Sequence, residues 1–157
     1  MAAYCFGIGK VYGNKRNYRQ NNFKTYTWRI CRFLYPPLYK SVVNLNSYSE
    51  KLAENSINIV LSEEGKNIGF ICFYANDFVS RKAFVSLICV KEEFQKRGYA
   101  TLLLKKMFEY CKNKMNSVEL EVYFQNEGAI EFYEKNGFQK IGKISENKNS
   151  FYMRRLL

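Results

Sequence analysis

What most constrains the fold of this chain is the run Ser86-Leu87-Ile88-Cys89-Val90, then Gln95-Lys96-Arg97-Gly98-Tyr99-Ala100, then an apolar stretch from Leu102. It reads as a strand, a glycine turn and the start of a helix. Such a turn aims successive backbone N–H groups at one point, where the positive end of the helix dipole adds its attraction for an anion. Gly98 has no side chain, so backbone and ligand can approach closely. Lys96 and Arg97 add cationic charge beside that point, and a guanidinium can grip phosphate with two donors. Gln95 to Ala100 is therefore a candidate pyrophosphate cradle. Glycine turns ahead of helices are common, so specificity must come from elsewhere in the chain.

A second pattern follows at the spacing of one helix and one strand. Val118 to Tyr123 reads as a strand, and Asn126-x-x-Ala129-x-x-x-Tyr133-x-x-x-Gly137-Phe138 as a short helix. Asn126 is placed to cap its start, and Gly137 to end it in the left-handed conformation. Asn126, Ala129 and Tyr133 are three and four residues apart and so share one helical face, offering an amide, a small gap and a phenol to one ligand.

These two motifs resemble those of the GNAT (general N-acetyltransferase) superfamily, in the family's order and at its spacing. Gln95 to Ala100 is similar to its Q/R-x-x-G-x-G/A loop, and Asn126 to Phe138 to its closing N-x-x-A motif. The resemblance runs from about Ile57 onward. It implies an enzyme that transfers acetyl from acetyl-CoA to a primary amine, with no metal. It also implies roles by position. Gln95, Lys96, Arg97, Gly98, Tyr99, Ala100, Asn126, Ala129 and Tyr133 would contact the cofactor. Ile88 and Val90 would hold the pantetheine arm through backbone groups where neighbouring strands splay. Tyr133 would protonate the departing sulfur, against the plainer reading of a structural phenol. Many members carry a catalytic glutamate on the strand ahead of the loop, where this chain has Phe84. Glu121, within Leu120-Glu121-Val122, instead resembles the base of the branch that acetylates protein N-termini. The plainer reading is a solvent-facing residue of an alternating strand. Ser86 acting through water is the fallback. The C-terminal Ser150-Phe151-Tyr152-Met153-Arg154-Arg155 departs from that branch, so an amino sugar, a nucleotide-linked sugar, a small amine and a protein amine all remain as acceptors.

With 157 residues the chain is long enough for one core and too short for two. Histidine is absent, which removes the commonest general base and metal ligand together. Cys5, Cys31, Cys72, Cys89 and Cys111 are scattered without C-x-x-C pairs, which points to reduced thiols in the cytoplasm. No apolar run reaches the ~20 residues of a membrane span, and no signal-peptide core is present. Charge is asymmetric: of the net +11, the acid-free first 49 residues supply Lys10, Lys15, Arg16, Arg19, Lys24, Arg29, Arg32 and Lys40. Tyr12, Tyr18, Phe23, Tyr26, Trp28, Phe33 and Tyr35 interleave with them. Cations among aromatics can track phosphates and stack bases, so nucleic-acid binding is the second reading. A GNAT-like domain that binds acyl-CoA without turnover is the third.

The expected organisation is a basic arm over residues 1–22 and an acetyltransferase domain over 23–157. Gly7-Ile8-Gly9 reads as a loop or short strand. Asn22 to Leu34 is expected to contain a helix ended by Pro36-Pro37. Ser47-x-x-Glu50 has the form of a capping box ahead of a helix over Tyr48 to Glu54. Ile57 to Ser62 and Asn67 to Ala75 form a hairpin across Glu64-Gly65-Lys66, and Ala83 to Val90 a third strand. From Tyr99 to Met115, apolar residues at 100, 103, 104, 107, 108, 111 and 115 trace one helical stripe. Phe138 to Ile144 and Ser150 to Leu156 form a closing hairpin. The fold class is therefore α/β: a mixed, mostly antiparallel sheet flanked by helices.

Overall fold

In the computed structural model, residues 5–9, 45–63, 66–146 and 149–157 are described. Seven strands form one sheet: β1 (Cys5–Gly9), β2 (Ile57–Glu63), β3 (Lys66–Asp77), β4 (Lys82–Val90), β5 (Ser117–Tyr123), β6 (Gln139–Ile144) and β7 (Ser150–Leu156), in the order β1-β2-β3-β4-β5-β7-β6. Among the described residues three α-helices accompany them, α1 (Leu45–Asn55), α2 (Tyr99–Cys111) and α3 (Glu127–Lys135), with a short 3-10 turn at Glu92–Phe94. Every neighbouring pair is antiparallel except β4 and β5, which α2 joins in parallel. A parallel pair needs such a crossover, whereas antiparallel neighbours need only a turn.

The mixed, mostly antiparallel sheet and its flanking helices are as expected. Gly7-Ile8-Gly9 is indeed strand, part of β1 at the sheet edge against β2. The expected helix within Asn22 to Leu34, the Pro36-Pro37 break and most of the basic arm lie outside the described residues.

Two boundaries differ from the sequence reading. Helix α1 begins at Leu45, so Ser47 stands inside its first turn and is not its cap. Docking sets this helix: Leu52 is fully buried and Tyr48, one turn away, packs in the same cluster with Phe70, Cys72, Leu87 and Cys89. Helix α2 stops at Cys111 although the apolar stripe runs on to Met115, because Lys112 leaves helical geometry at ψ 133° and Asn113 follows with a left-handed φ of 66°. Met115 still reaches the core at 3% exposure, its N–H donating to Cys111 O at 2.9 Å.

The larger core lies between the sheet and the two helices α2 and α3. Leu103, Leu104 and Met107 of α2 are fully buried there, each worth roughly 1.5–3 kcal/mol of apolar burial. Against it pack Ile59, Leu61, Ile71 and Phe73 from β2 and β3, and Val118, Leu120 and Val122 from β5. The period of two along β5 thus sends Glu119, Glu121 and Tyr123 to the opposite face. Gly69 is required where β3 passes β4, since a Cβ there would lie 2.5 Å from Cys89 O.

Candidate active site

The turn before α2 is built as its sequence suggests. Lys96 and Gly98 both have positive φ, 59° and 82°, and Gly98 is the helix N-cap. Alternating left-handed residues curl successive N–H groups toward one side, the arrangement of an anion-binding nest. The first helical bond runs from Leu102 N–H to Gly98 O at 3.0 Å. The N–H groups of Ala100 and Thr101, ahead of it, have no intrahelical acceptor. A Cβ on Gly98 would meet nothing within 4 Å among the described residues, which leave the space beside it open. Lys96 and Arg97 are exposed and neither forms an ion pair among the described residues, although the Arg97 guanidinium lies 5.8 Å from the Phe94 ring centroid. Gln95 is engaged differently: its Nε2 donates to Val90 O at 3.1 Å and ties the loop to the end of β4.

Strand β4 carries two irregularities that lead into this loop. The register against β3 passes from Phe73–Val85 to Cys72–Leu87, leaving Ser86 as the extra residue of a bulge. A bulge breaks the alternation of side chains. Ala83 and Val85 face the α2/α3 core before it, and Ile88 and Val90 face that core after it, while Leu87 and Cys89 join the α1 cluster. On the other side, pairing with β5 runs only from Lys82–Ser117 to Val85–Leu120. Beyond that point β4 and β5 part, so the splay expected at Ile88 and Val90 is present and opens toward the N-terminus of α2.

Helix α3 brings up Asn126, Ala129 and Tyr133. Asn126 is its N-cap, Oδ1 accepting from Ala129 N–H at 3.2 Å, and Gly137 leaves it with φ 83°. The Asn126 amide oxygen therefore serves the helix itself. Tyr133 is 9% exposed, its ring 5.3 Å from that of Phe132 and 5.6 Å from that of Phe138. Its hydroxyl has no hydrogen-bond partner among the described residues, and burial pushes the phenol pKa upward. A buried phenol usually finds a partner.

Glu121 lies across the sheet from Tyr133. It is exposed on the face opposite the core, directly across from Tyr152 of β7. The two residues expected to handle protons thus occupy opposite faces of the sheet. Around Glu121 the polar face holds Phe84, whose ring is 6.4 Å from that of Tyr152, and Ser86, whose Oγ is 3.2 Å from Tyr48 Oη. Desolvation, then the charges of Glu121, Glu146 and Glu119, raise the Tyr152 pKa. Ser150 donates its hydroxyl proton to Glu121 Oε1, and Ser145 Oγ lies 2.6 Å from Ser150 Oγ. Tyr48, Tyr152, Ser145 and Ser150 did not emerge as site residues from the sequence. The alternation of Ser150, Tyr152 and Arg154 with Phe151 and Met153 marks a polar face, but only strand order shows that it meets Glu121.

Cys72, Cys89 and Cys111 are buried, and none forms a disulfide with another described residue. Among the described residues no three or more His, Cys, Asp or Glu side chains gather as a metal would require, and no helix is long and apolar enough to cross a membrane.

In this mixed sheet the parallel pair β4 and β5 splits ahead of the turn that starts α2. The chain belongs to the acetyltransferase (GNAT) family, whose sequence model matches residues 21–138. It is 37% identical over 86 residues to an uncharacterized N-acetyltransferase of Methanocaldococcus jannaschii, covering 52% of this chain and 38% of that protein. It is also 37% identical over 83 residues to an N-alpha-acetyltransferase of Saccharolobus solfataricus, covering 49% and 50%. The matched segment thus spans half or less of these relatives' lengths. A GNAT acetyltransferase from Elizabethkingia anophelis with acetyl-CoA bound shares the fold at a TM-score of 0.68, with 16% identity and 98% of both chains covered.

Proposed function

We propose that the chain is an acetyl-CoA-dependent N-acetyltransferase acting on a primary amine, carried by a small molecule, an amino sugar or a protein. The observation that carries this reading is the parting of β4 from β5 after Val85–Leu120, which runs straight into the Gly98 nest. It leaves a slot with an anion-receptive end and access to both faces of the sheet. Names of relatives as N-acetyltransferases and the acetyl-CoA bound by a structural neighbour support it. Cys72, Cys89 and Cys111, buried and without a disulfide among the described residues, suit a cytoplasmic enzyme.

Acetyl-CoA supplies an activated thioester, whose C–S bond breaks as the amine nitrogen bonds to the carbonyl carbon. The first-turn N–H groups of α2, with Lys96 and Arg97, would hold its pyrophosphate. Gly98, Tyr99 and Ala100 shape that cradle, and Gln95 braces it against β4. Backbone groups of Ile88 and Val90 along the open edge would hold the pantetheine arm and polarise the carbonyl. Asn126 and Ala129 set the start of α3 so that Tyr133 can give its phenolic proton to the departing sulfur. Glu121 takes a proton from the amine nitrogen. Solvent exchange then returns Tyr133 to the phenol and Glu121 to the carboxylate.

The test is a CoA thiol-release screen with acetyl-CoA and a panel of amino acids, polyamines, amino sugars and peptides with free N-termini, beside calorimetric titration with CoA. Amine-dependent thiol release is expected. Tight CoA binding without turnover of any amine would instead make this an acyl-CoA-binding domain. Absence of both, with salt-sensitive retention on nucleic acid, would transfer the function to the acid-free first 49 residues.

A further inference from the structure

Two glutamates stand two residues apart on the same face of β5, and the structure treats them differently. Glu119 pairs directly across from Arg154, whose Nη2 and Nε lie 2.6 and 2.8 Å from its Oε1, and Lys82 Nζ adds a third contact at 3.6 Å. Glu121 forms no ion pair among the described residues. Its one hydrogen-bond partner there is the neutral hydroxyl of Ser150, on Oε1. The Glu119 carboxylate is thus already engaged by two cations. A neutral hydroxyl fixes the carboxylate's direction without cancelling its charge.

The hydroxyl itself is fixed from behind. Ser150 is fully buried and Ser145 is 7% exposed, and their Oγ atoms are 2.6 Å apart. Each hydroxyl has one proton. Ser150 spends its own on Glu121, so the proton between the serines belongs to Ser145. The backbone holds the same pair, Ser145 N–H donating to Ser150 O at 3.0 Å. The result is a directional chain from Ser145 to Ser150 to Glu121, built from the β6–β7 turn and ending on a carboxylate whose Oε2 accepts no hydrogen bond from the described residues.

We infer that Ser150, itself oriented by Ser145, is a positioning residue for Glu121, holding the carboxylate so that Oε2 faces the acceptor amine. This rests on the assignment of Glu121 as proton acceptor. A long exposed side chain samples many rotamers, and pinning it removes that search from the reacting geometry.

The test is a double-mutant cycle on the full chain, read as CoA thiol release with acetyl-CoA and one fixed primary amine, the fastest in the screen above. Ser150→Ala should lower kcat by roughly 10- to 100-fold while acetyl-CoA affinity stays within about twofold. In a Glu121→Gln background the same substitution should cost nothing further. Ser150→Thr, which keeps the hydroxyl, should recover most of the rate, and Ser145→Ala should give a smaller loss. Where Ser150→Ala melts near the assay temperature, Ser150→Cys, close in shape but a weak donor, takes its place. Equal losses from Ser150→Ala in both backgrounds would show a structural role and overturn the inference. A wild-type rate for Ser150→Ala beside a crippled Glu121→Gln would overturn it while leaving Glu121 as the base. A wild-type rate for Glu121→Gln would remove the base assignment, and the positioning role with it.

Discussion

Replacing Tyr133 by phenylalanine separates stability from activity more sharply than any other single change in this chain. The ring's contacts with Phe132 and Phe138 are retained, and the one atom removed is a hydroxyl that is 9% exposed by residue and has no partner among the described residues. A buried hydroxyl without a hydrogen bond costs about 1–3 kcal/mol in proteins. Its removal should therefore leave stability unchanged or raise it by up to about 2 kcal/mol. At roughly 2–4 °C per kcal/mol for a chain of this size, Tm should move between 0 and about +8 °C. If the hydroxyl gives its proton to the leaving sulfur, kcat falls by roughly 10²- to 10⁴-fold with CoA affinity little changed. That is about 2.7–5.4 kcal/mol of lost transition-state stabilisation. Thermal melting, CoA titration and thiol release on one preparation read all three quantities. A Tyr133→Phe protein that keeps its rate refutes the acid role. One that loses several degrees in Tm refutes the claim that the hydroxyl has no structural partner.

Gly98→Glu places a carboxylate and a left-handed non-glycine residue in front of the nest, where the open space lets the chain fold. It should lose CoA binding at a cost of only about 1–2 kcal/mol in stability, and unchanged calorimetric affinity would remove the pyrophosphate assignment. Burial pushes the Cys111 thiol from its ordinary value of 9.0 up to about 11, Lys114 offsetting part of the rise. Between pH 9 and 11 the unfolded chain has shed this proton and the folded chain retains it, so stability should fall across that window. Tm measured from pH 8 to 11 should drop less steeply in Cys111→Ala.

The local pieces of this molecule are legible in the sequence because short-range chemistry specifies them. Gly98 and Gly137 stand where positive φ is needed, Asn126 caps the helix it precedes, and the runs on either side of residues 64–66 and 145–149 turn into hairpins. Motif spacing was enough to find the family as well. The bounds of α1 and α2 are less legible, since docking of Tyr48 and Leu52 and the turn at Lys112 and Asn113 decide them.

Strand order and register belong to the tertiary structure. Strand β7 inserts between β5 and β6, β4 parts from β5 after four residue pairs, and the bulge at Ser86 turns Ile88 and Val90 toward the α2/α3 core. In sequence, Glu119 and Glu121 flank Leu120 and look alike. In the sheet the first meets Arg154 and the second meets Tyr152 and the hydroxyl of Ser150, about thirty residues away along the chain. Which glutamate is ion-paired and which is held by a neutral hydroxyl is fixed by cross-strand neighbours, and no local pattern along β5 encodes those.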